Sequence, residues 1–240
     1  MPPRHCATRW VSRITFRSHM ANYARWKFQF TGFVKSSIKP YLSCMMDDFN
    51  NLELHGRRVT LQAIKIGDVN KLYAIIRDSR EHLEKWLPWV DFIQSLEDER
   101  HIIEQWIYDM QIRAAIHLSI KAEDEVVGMV STGQIDWTNQ RTSIGYWIKK
   151  ESVRQNFASE ATAILLTYLF DNLRLHRIFI QAATDNDASN GVIRKLGFKI
   201  EGVLRENERI KNRFLDHNIY GMTEMDYGQL KDSLHPFLHL

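Results

Sequence analysis

The segment SVRQNFASEA (152–161) has the position and residue types for anion chemistry, because it joins a strand-like run to a strongly apolar helix. A turn at such a junction binds phosphate through its backbone N–H groups and the positive end of the helix dipole. Phosphate-binding turns normally carry glycine, whose missing Cβ lets the backbone approach the anion closely, and this segment has none. The sequence therefore raises the question of whether a glycine-less turn can hold a phosphorylated cofactor.

Backbone chemistry favours a positive answer. Asn156 tolerates the left-handed conformation better than most residues, and the backbone supplies N–H donors whatever the side chain. Arg154 adds a cation for a charge-assisted contact with a phosphate. We therefore predict that the turn binds a phosphorylated cofactor. The alternative is that the side chains crowd the turn and leave a fold with weak or absent cofactor binding.

Hydrophobic periodicity around this turn predicts a mixed α+β domain. One mostly antiparallel, twisted sheet is expected, with helices on both faces and a three-strand meander before the turn. The strands are predicted at 58–64, 115–121, 126–135, 142–150, 176–184, 198–204 and 218–227. Helices are predicted to open at 67–68, to occupy 79–90 as far as Pro88, to open at Ser95, and to span 160–173 and 188–196.

The first 46 residues differ in composition from the rest of the chain. They hold eight of the 32 Lys and Arg residues and no acidic residue, whereas residues 47–240 carry 24 basic and 29 acidic side chains, a net charge of about −5. We predict that 1–46 is a basic extension outside the fold and that 47–240 is a single domain. A targeting peptide or an ordered extension are the alternatives for 1–46, and the start of translation, at Met1 or near Met46, stays open.

Composition also argues against several classes of site. Both cysteines, Cys6 and Cys44, lie in the extension, so the body has no thiol nucleophile, which favours a cytoplasmic protein. The histidines are dispersed, with no pair at metal-ligand spacing on one helix face, and we predict no metal. The acidic body argues against nucleic acid as a partner, and no apolar run approaches the ~20 residues that cross a membrane.

A set of ordered motifs carries a family resemblance. The order of elements and motifs in this chain resembles that of the GNAT superfamily of acetyl-coenzyme-A-dependent N-acetyltransferases. That order is strand, phosphate-type turn, helix, strand, Asn186-x-x-Ser189, helix and Lys195-Leu-Gly197-Phe198. Its RimJ/RimL branch, the ribosomal-protein N-terminal acetyltransferases, is similar in further stretches: HLEKWLPW, IGYWI, NDASNGVIRKLGFKIEGVLRE and Asp216-His-x-x-Tyr220. The resemblance covers about 52–227 and implies the GNAT acyl-CoA N-acyltransferase fold.

The resemblance also implies where acetyl-CoA binds. Val153 stands at the family's usual Gln or Arg, Asn156 at a usual glycine, and Arg154 where this branch often has another glycine. Backbone groups of the strand before the turn would bind the pantetheine arm like an added strand, and one amide would polarise the thioester carbonyl. The implied acetyl-CoA-binding residues are Ile148, Lys149, Val153, Arg154, Gln155, Asn156, Phe157, Ala158, Ser159, Asn186 and Ser189.

An acid and a base follow from the same resemblance. In the RimL-like branch a Glu on the strand after Gly-Phe is the base and the Ser of Asn-x-x-Ser the acid, and these positions fall on Glu208 and Ser189. They would deprotonate the amine and protonate the departing thiolate. Each has a structural alternative: Glu208 as a solvated residue of the charged run RENERIKNR, Ser189 as a helix cap, and Asn186 as a loop former.

Three aromatic residues are candidates to line the acceptor site. Members of the resembled family flank the incoming amine with the short early helix and adjacent strands, which here carry Trp86, Trp89 and Tyr146. Aromatic residues at helical spacing are often core residues instead. Lys195-Leu-Gly197-Phe198 is interpreted as a helix C-terminus with a glycine cap and a core phenylalanine.

These residues together imply an acetyl-CoA-dependent N-acetyltransferase that acetylates a primary amine directly. The expected acceptor is a protein N-terminal α-amino group, for example of a ribosomal protein, and the acidic body would steer a cationic acceptor. A small-molecule amine acetyltransferase, acting on an antibiotic or polyamine, and a catalytically silent GNAT-fold binding module are the alternatives. The sequence determines neither the identity of the acceptor nor the oligomeric state, and whether the protein is a homo-oligomer stays open.

Overall fold

The computed structural model describes residues 48–238. The basic extension 1–46 lies outside the described residues, so its exclusion from the fold stays a prediction. Between residues 48 and 238, no helix is long and apolar enough to cross a membrane. Over the same range, no three or more His, Cys, Asp or Glu side chains are grouped so that they could hold a metal ion.

In the described part of the chain, eight strands form one sheet in the order β1-β2-β3-β4-β5-β6-β8-β7. All neighbouring strands are antiparallel except β5 and β6, which are parallel. The predicted meander before the turn is confirmed as β3, β4 and β5. The strands span Glu53–His55 (β1), Val59–Ala63 (β2), His117–Ala122 (β3), Glu125–Thr132 (β4), Arg141–Ile148 (β5), Arg177–Ala183 (β6), Lys199–Ile210 (β7) and Arg213–Thr223 (β8).

Residues 48–238 contain six α-helices, several of them started by side-chain caps. Ser95 and Asp98 form a capping box at the start of the third helix, and the Asn186 side chain accepts a hydrogen bond from Ser189 N–H at the start of the fifth. The helices span Val69–Asp78 (α1), Arg80–Leu83 (α2), Leu96–Gln111 (α3), Phe157–Thr167 (α4), Asp187–Lys195 (α5) and Glu224–Leu234 (α6).

The elements differ from the sequence-based prediction mainly at their ends, although β1 and α6 were not predicted. The predicted helix over 79–90 is the single turn α2 and a 3₁₀ turn that begins at Pro88, because proline interrupts helical hydrogen bonding. β7 continues past 204 to Ile210, because β8 pairs with it to the end of the hairpin. The predicted strand 218–227 ends at Thr223, since Thr223 and Asp226 form a capping box that starts α6.

The end of α5 agrees with its prediction. Gly197 follows the helix with φ +82°, a conformation that L side chains rarely adopt, and a Cβ there would lie 2.5 Å from Leu230 Cδ1. Phe198 is buried in the core. The motif Lys195-Leu-Gly197-Phe198 is therefore confirmed as a helix C-terminus with a glycine cap.

The parallel pair β5–β6 separates shortly after it begins. Its ladder contains three pairs, Arg141–Arg177, Thr142–Ile178 and Ser143–Phe179, although both strands continue beyond them. The space between the later parts of these strands is called here the β5–β6 slot. The sheet is thus opened at one position, next to the turn at 149–156 that follows β5.

Two buried ionisable side chains make the free energy of unfolding depend on pH. Glu99 of α3 and His117 of β3 are buried, and within the described part of the chain neither has a hydrogen-bond partner for its side-chain polar atoms. Burial raises the pKa of Glu99 to about 7 and lowers the pKa of His117 to about 4. Both groups therefore favour the uncharged form in the folded state.

We predict opposite pH dependences when these two groups are replaced singly. The stability that Glu99 contributes is fully present below the pKa of this group in the unfolded chain, and it is lost as pH rises through 7. The stability that His117 contributes is present above the pKa of this group in the unfolded chain, and it is lost as pH falls toward 4. The two slopes oppose each other in the parent protein. As pH rises from 5 to 7.5, the unfolding free energy of Glu99→Gln should increase by roughly 2–3 kcal/mol, and that of His117→Gln should decrease by a similar amount. Urea unfolding at each pH measures both changes. Parallel slopes for both variants would contradict this assignment.

Candidate active site

The two faces of the sheet carry different groups of the predicted site. Side chains alternate between faces along a strand. Tyr220 of β8 donates a hydrogen bond to Asn190 of α5, so Tyr220 lies on the face covered by α5, which we call the Ser189 face. His217 and Leu215, at odd distances from Tyr220 along β8, lie on the opposite face. Glu208 pairs with Leu215 across the ladder and shares that face, which we call the Glu208 face.

Ser189 is held by two neighbours on its face. The Tyr146 hydroxyl lies 3.0 Å from Ser189 Oγ and 3.2 Å from the Ser189 carbonyl oxygen, and Ser189 N–H donates to Asn186 Oδ1 at 3.1 Å. The cap of α5 is therefore Asn186, and the Ser189 hydroxyl is left to interact with Tyr146. Burial raises the pKa of Tyr146 to about 12, so this phenol stays protonated at neutral pH.

A fully bonded amide fixes the start of α5 against the sheet. Asn190 is buried, and its Nδ2 donates to the carbonyl oxygens of Ala183 and Asn186, both at 2.8 Å. Its Oδ1 accepts hydrogen bonds from Asn218 Nδ2 at 2.9 Å and Tyr220 Oη at 2.8 Å. These four bonds join β6, α5 and β8, and they set the position of Ser189 one residue earlier.

The glycine-less turn adopts the left-handed conformations that glycine usually provides. Arg154 and Asn156 have φ values of 63° and 64°. Within residues 48–238, the backbone N–H groups of 153–159 donate no hydrogen bond to the protein, and the first amide of α4 that does so is Glu160, to the Asn156 carbonyl. Lys195 Nζ donates to Asn156 Oδ1 at 2.9 Å. The turn therefore presents unpaired donors and two cations, Arg154 and Lys195, which suit a diphosphate.

A buried carboxylate ties this turn to the beginning of the sheet. Glu160 of α4 accepts hydrogen bonds from the backbone N–H groups of Arg58 and Val59, the latter at 3.1 Å, and an ion pair joins it to Arg58 Nε at 3.3 Å. The Arg58 guanidinium also donates to the Gln155 carbonyl oxygen at 2.6 Å. Arg58 and Glu160 thus fix the end of the turn and the first turn of α4 to the start of β2.

Backbone groups of β5 face the slot at alternate residues. Lys149 N–H donates to the Val127 carbonyl at 2.8 Å, and Gly133 N–H donates to the Ser143 carbonyl at 3.0 Å, so odd-numbered residues of this stretch bond to the β4 side. In an antiparallel ladder the intervening residues direct their N–H and C=O groups to the other side. The amides of Tyr146 and Ile148 therefore face the β5–β6 slot, and that of Lys149, expected to serve acetyl-CoA, is already bonded.

Glu208 belongs to a polar chain on its own face. His217 is buried, and its Nε2 lies 3.6 Å from Glu208 Oε2. Asn207 Nδ2 lies 3.1 Å from His217 Nδ1 and 3.3 Å from Gln181 Oε1. Because Glu208 lies in a paired strand and is half-buried beside an imidazole, its surroundings differ from those of a solvated loop residue.

The three aromatic candidates are divided between the faces. Trp86 packs against the cluster of Ala183, Ile210 and Leu215 on the Glu208 face. The Trp89 ring lies 6.2 Å from the Trp147 ring, and Trp147 follows Tyr146 and so also lies on the Glu208 face. Tyr146 alone of the three lies on the Ser189 face, beside Ser189.

A cavity of about 370 Å³ lies where β4, β5 and β6 meet. Small or uncharged residues form its wall, and Gln181 connects it to Asn207 and through it to His217 and Glu208. The lining residues are Ser131, Thr132, Gly133, Ser143, Ile144, Gly145, Phe179 and Gln181. The cavity therefore reaches the slot from the same side as the carboxylate of Glu208.

Comparison with known proteins identifies the family of this chain. Residues 58–199 match the model of the acetyltransferase (GNAT) domain. The chain belongs to the GNAT acetyltransferase family. This GNAT protein is 31% identical over 170 residues to the ribosomal-protein-serine acetyltransferase of Escherichia coli, a match covering 71% of this chain and 91% of that protein.

Solved structures of similar GNAT proteins contain the cofactor. RimL, a ribosomal-protein α-N-acetyltransferase in complex with coenzyme A, superposes with a TM-score of 0.70 at 25% identity, covering 72% of this chain and 98% of that one. The microcin self-immunity acetyltransferase MccE, in complex with acetyl-CoA and AMP, gives a TM-score of 0.67 at 29% identity, over 69% and 92%. The predicted family, fold and activity are confirmed: this GNAT protein is an acetyl-CoA-dependent N-acetyltransferase.

Sequence reasoning did not identify four residues that organise the GNAT site. Arg58 and Glu160 are 102 positions apart, and Asn190 joins three separate elements, so no local pattern relates their partners. His217 stands in the motif Asp216-His-x-x-Tyr220, which carried the family resemblance, but its approach to Glu208 depends on the β7–β8 register. A register prediction for this hairpin is the signal that would have found it.

We predict that Glu160 stabilises both the fold and the turn at 149–156, which is expected to bind acetyl-CoA. Glu160→Ala leaves the part-buried N–H group of Arg58 and the buried N–H group of Val59 without an acceptor, so the unfolding free energy should fall by about 2–3 kcal/mol in urea unfolding. Acetyl-CoA affinity, measured by isothermal titration, should fall as well because the turn loses its anchor. Glu151→Ala, at an exposed position of the same turn, changes the charge equally and should affect neither. Equal effects of both substitutions would assign the result to charge alone.

Proposed function

We propose that this enzyme acetylates the α-amino group of a protein N-terminus. The observation that carries the proposal is the meeting of three features at the β5–β6 slot: the Ser189–Tyr146 pair on one face, the Glu208 chain on the other, and an uncharged cavity between the strands. The similarity to a ribosomal-protein-serine acetyltransferase supports the same class of acceptor. A ribosomal protein is one such acceptor.

The turn and the slot are the proposed acetyl-CoA site. The unpaired amides of 153–159, with Arg154 and Lys195, would bind the diphosphate, and the backbone groups of Tyr146 and Ile148 would bind the pantetheine arm in the slot. The Ile148 amide is proposed to hydrogen-bond the thioester carbonyl oxygen. Acetyl-CoA supplies an activated acetyl group as a thioester.

Glu208 is the proposed general base. It takes a proton from the ammonium form of the acceptor, directly or through one water, so that the amine nitrogen can bond to the acetyl carbon as the carbon–sulfur bond breaks. An α-amino group has a pKa near ~8, against about 10.4 for a lysine-type amine, so a carboxylate base is better matched to an N-terminus.

Ser189 is the proposed acid for the departing thiolate. Its hydroxyl proton passes to the sulfur, and the serine oxygen regains a proton from the acceptor nitrogen, which loses one N–H hydrogen as the amide forms. Tyr146 is protonated at neutral pH and lies at hydrogen-bond distance from Ser189 Oγ. When Tyr146 donates to this oxygen, the Ser189 hydroxyl proton is available to the sulfur. The structure therefore supports a positioning role for Tyr146, on the Ser189 face, in place of the acceptor-lining role expected from the sequence. Trp86 and Trp89 keep the acceptor-lining role in the proposal, since both lie on the Glu208 face.

The chemistry of the cavity favours a small N-terminal residue over a polyamine. Its wall contains hydroxyl, amide, backbone and apolar groups and no carboxylate among the described lining residues. A second ammonium group of a polyamine would lack a counter-charge there, and burying an uncompensated charge is costly. The cytoplasmic location expected from the sequence stays a prediction.

We predict a preference for peptides in a direct acetylation assay. Peptides that begin with Ser or Ala should be acetylated on the α-amine with a kcat/KM at least about tenfold higher than spermidine, because the cavity offers no partner for further ammonium groups. Mass spectrometry of the product locates the acetyl group. A higher kcat/KM for spermidine would replace the N-terminal acceptor by a small-molecule amine.

We predict that removing the base lowers kcat and leaves cofactor binding intact. Glu208→Gln should reduce kcat about 100- to 10,000-fold, the usual contribution of a general base, with unchanged acetyl-CoA affinity in isothermal titration. Glu206→Gln, at an exposed position of the same strand, is the matched control and should retain activity. Unchanged turnover in Glu208→Gln would reject the base and leave the acetyl-CoA site standing.

A further inference from the structure

We propose that His217 is a positioning residue that orients the carboxylate of Glu208 for proton transfer. The inference rests on the proposed role of Glu208 as base and adds to it a device that fixes which carboxylate oxygen faces the acceptor. Three contacts carry it: Asn207 with His217, Asn207 with Gln181, and His217 with Glu208.

Asn207 determines which imidazole nitrogen carries the proton. Its Nδ2 amide has two hydrogens and lies near two acceptor positions, Gln181 Oε1 at 3.3 Å and His217 Nδ1 at 3.1 Å. An amide NH₂ can only donate, so His217 Nδ1 must accept and remain unprotonated. A neutral imidazole with Nδ1 unprotonated carries its hydrogen on Nε2.

The Nε2 hydrogen is then directed at the proposed base. Nε2 lies 3.6 Å from Glu208 Oε2, close enough to become a hydrogen bond with a small adjustment when the acceptor binds. Over residues 48–238, Glu208 is the one acidic side chain at ion-pair distance from His217. A donor to Oε2 leaves Oε1 for the amine or its bridging water.

The same arrangement argues against His217 as the base itself. Its Nε2 already carries a hydrogen, and its lone pair on Nδ1 accepts from Asn207. The ring is also buried, whereas Glu208 is half-exposed and can reach an acceptor in the cleft. His217 therefore acts through Glu208, by orienting its carboxylate.

A matched pair of substitutions tests the Nε2 donor. The side-chain amide of Gln reaches the position of Nε2, whereas that of Asn reaches only the position of Nδ1. We expect His217→Asn to lower kcat roughly ten- to a hundredfold, because a misplaced catalytic group costs about this much, with an unchanged KM for acetyl-CoA. His217→Gln should restore most of kcat. His101→Gln, in an exposed His–Glu pair on α3, is the control and should keep full activity.

The pH profile separates positioning from packing. Loss of the donor in His217→Asn should move the acidic limb of the pH profile of kcat to higher pH, and His217→Gln should move it back. A loss of kcat without movement of this limb, or equal activity in both variants, would overturn the proposal.

A double-mutant cycle distinguishes failure of this inference from failure of the proposed base. If His217 acts through Glu208, adding His217→Asn to Glu208→Gln should lower kcat no further. An equal further loss in that background would show an independent role for His217 and reject the inference. If Glu208→Gln alone is fully active, the base assignment fails, and the inference fails with it.

A substitution at the exposed Asn207 gives a second test that spares the core. Asn207→Asp replaces the amide donor by an acceptor. In one resulting state the His217 proton moves to Nδ1, so that the Nε2 lone pair faces Glu208. In the other state the His217 ring is charged, which weakens the base. Both states should lower kcat about tenfold or more. Parent-level kcat in a folded Asn207→Asp protein would overturn the proposal.

Discussion

The separation of β5 from β6 is the constraint on which the site depends. An intact parallel ladder would occupy the backbone groups of Tyr146 and Ile148 and would isolate the two faces of the sheet from each other. Because the pairing stops after Ser143 and Phe179, these groups face an open slot, and groups on opposite faces can act on one bond. The proposed acid and the proposed base therefore need not share an element, a loop or even a side of the sheet.

The glycine-less turn shows how other contacts can take over the role of glycine. Left-handed φ at Arg154 and Asn156 costs conformational energy in an L residue, of the order of 1 kcal/mol for each. Neighbouring elements hold the turn in this form, through Lys195 on Asn156 and through Arg58 on the Gln155 carbonyl. The amides that approach an anion belong to the backbone. The replacement of glycine by Arg154 and Asn156 therefore changes the contacts that support the turn more than it changes what the turn can bind.

Short-range features were predictable from the sequence, and contacts across the sheet were not. The turn, the Asn186-x-x-Ser189 helix start and the Gly197 cap are each encoded within a few neighbouring residues, and the strand meander follows from alternation. The family resemblance placed Glu208, whereas periodicity alone would have ended β7 before it. The bonded state of the Lys149 amide, the Glu160–Arg58 contact and the approach of His217 to Glu208 all depend on strand register, which composition and spacing do not determine.

The far end of the β7–β8 hairpin packs against the rest of the domain through a small set of contacts. A small apolar cluster of Trp86, Ala183, Ile210 and Leu215 stands apart from the main core, and one ion pair of 2.7 Å joins Lys211 to Glu84. Regions with few apolar contacts open more readily than the core to which they belong. Warming should therefore release the strand end that carries Glu208 before the main core opens, so that an enzyme relying on the proposed base would lose turnover while the proposed acetyl-CoA site stays folded.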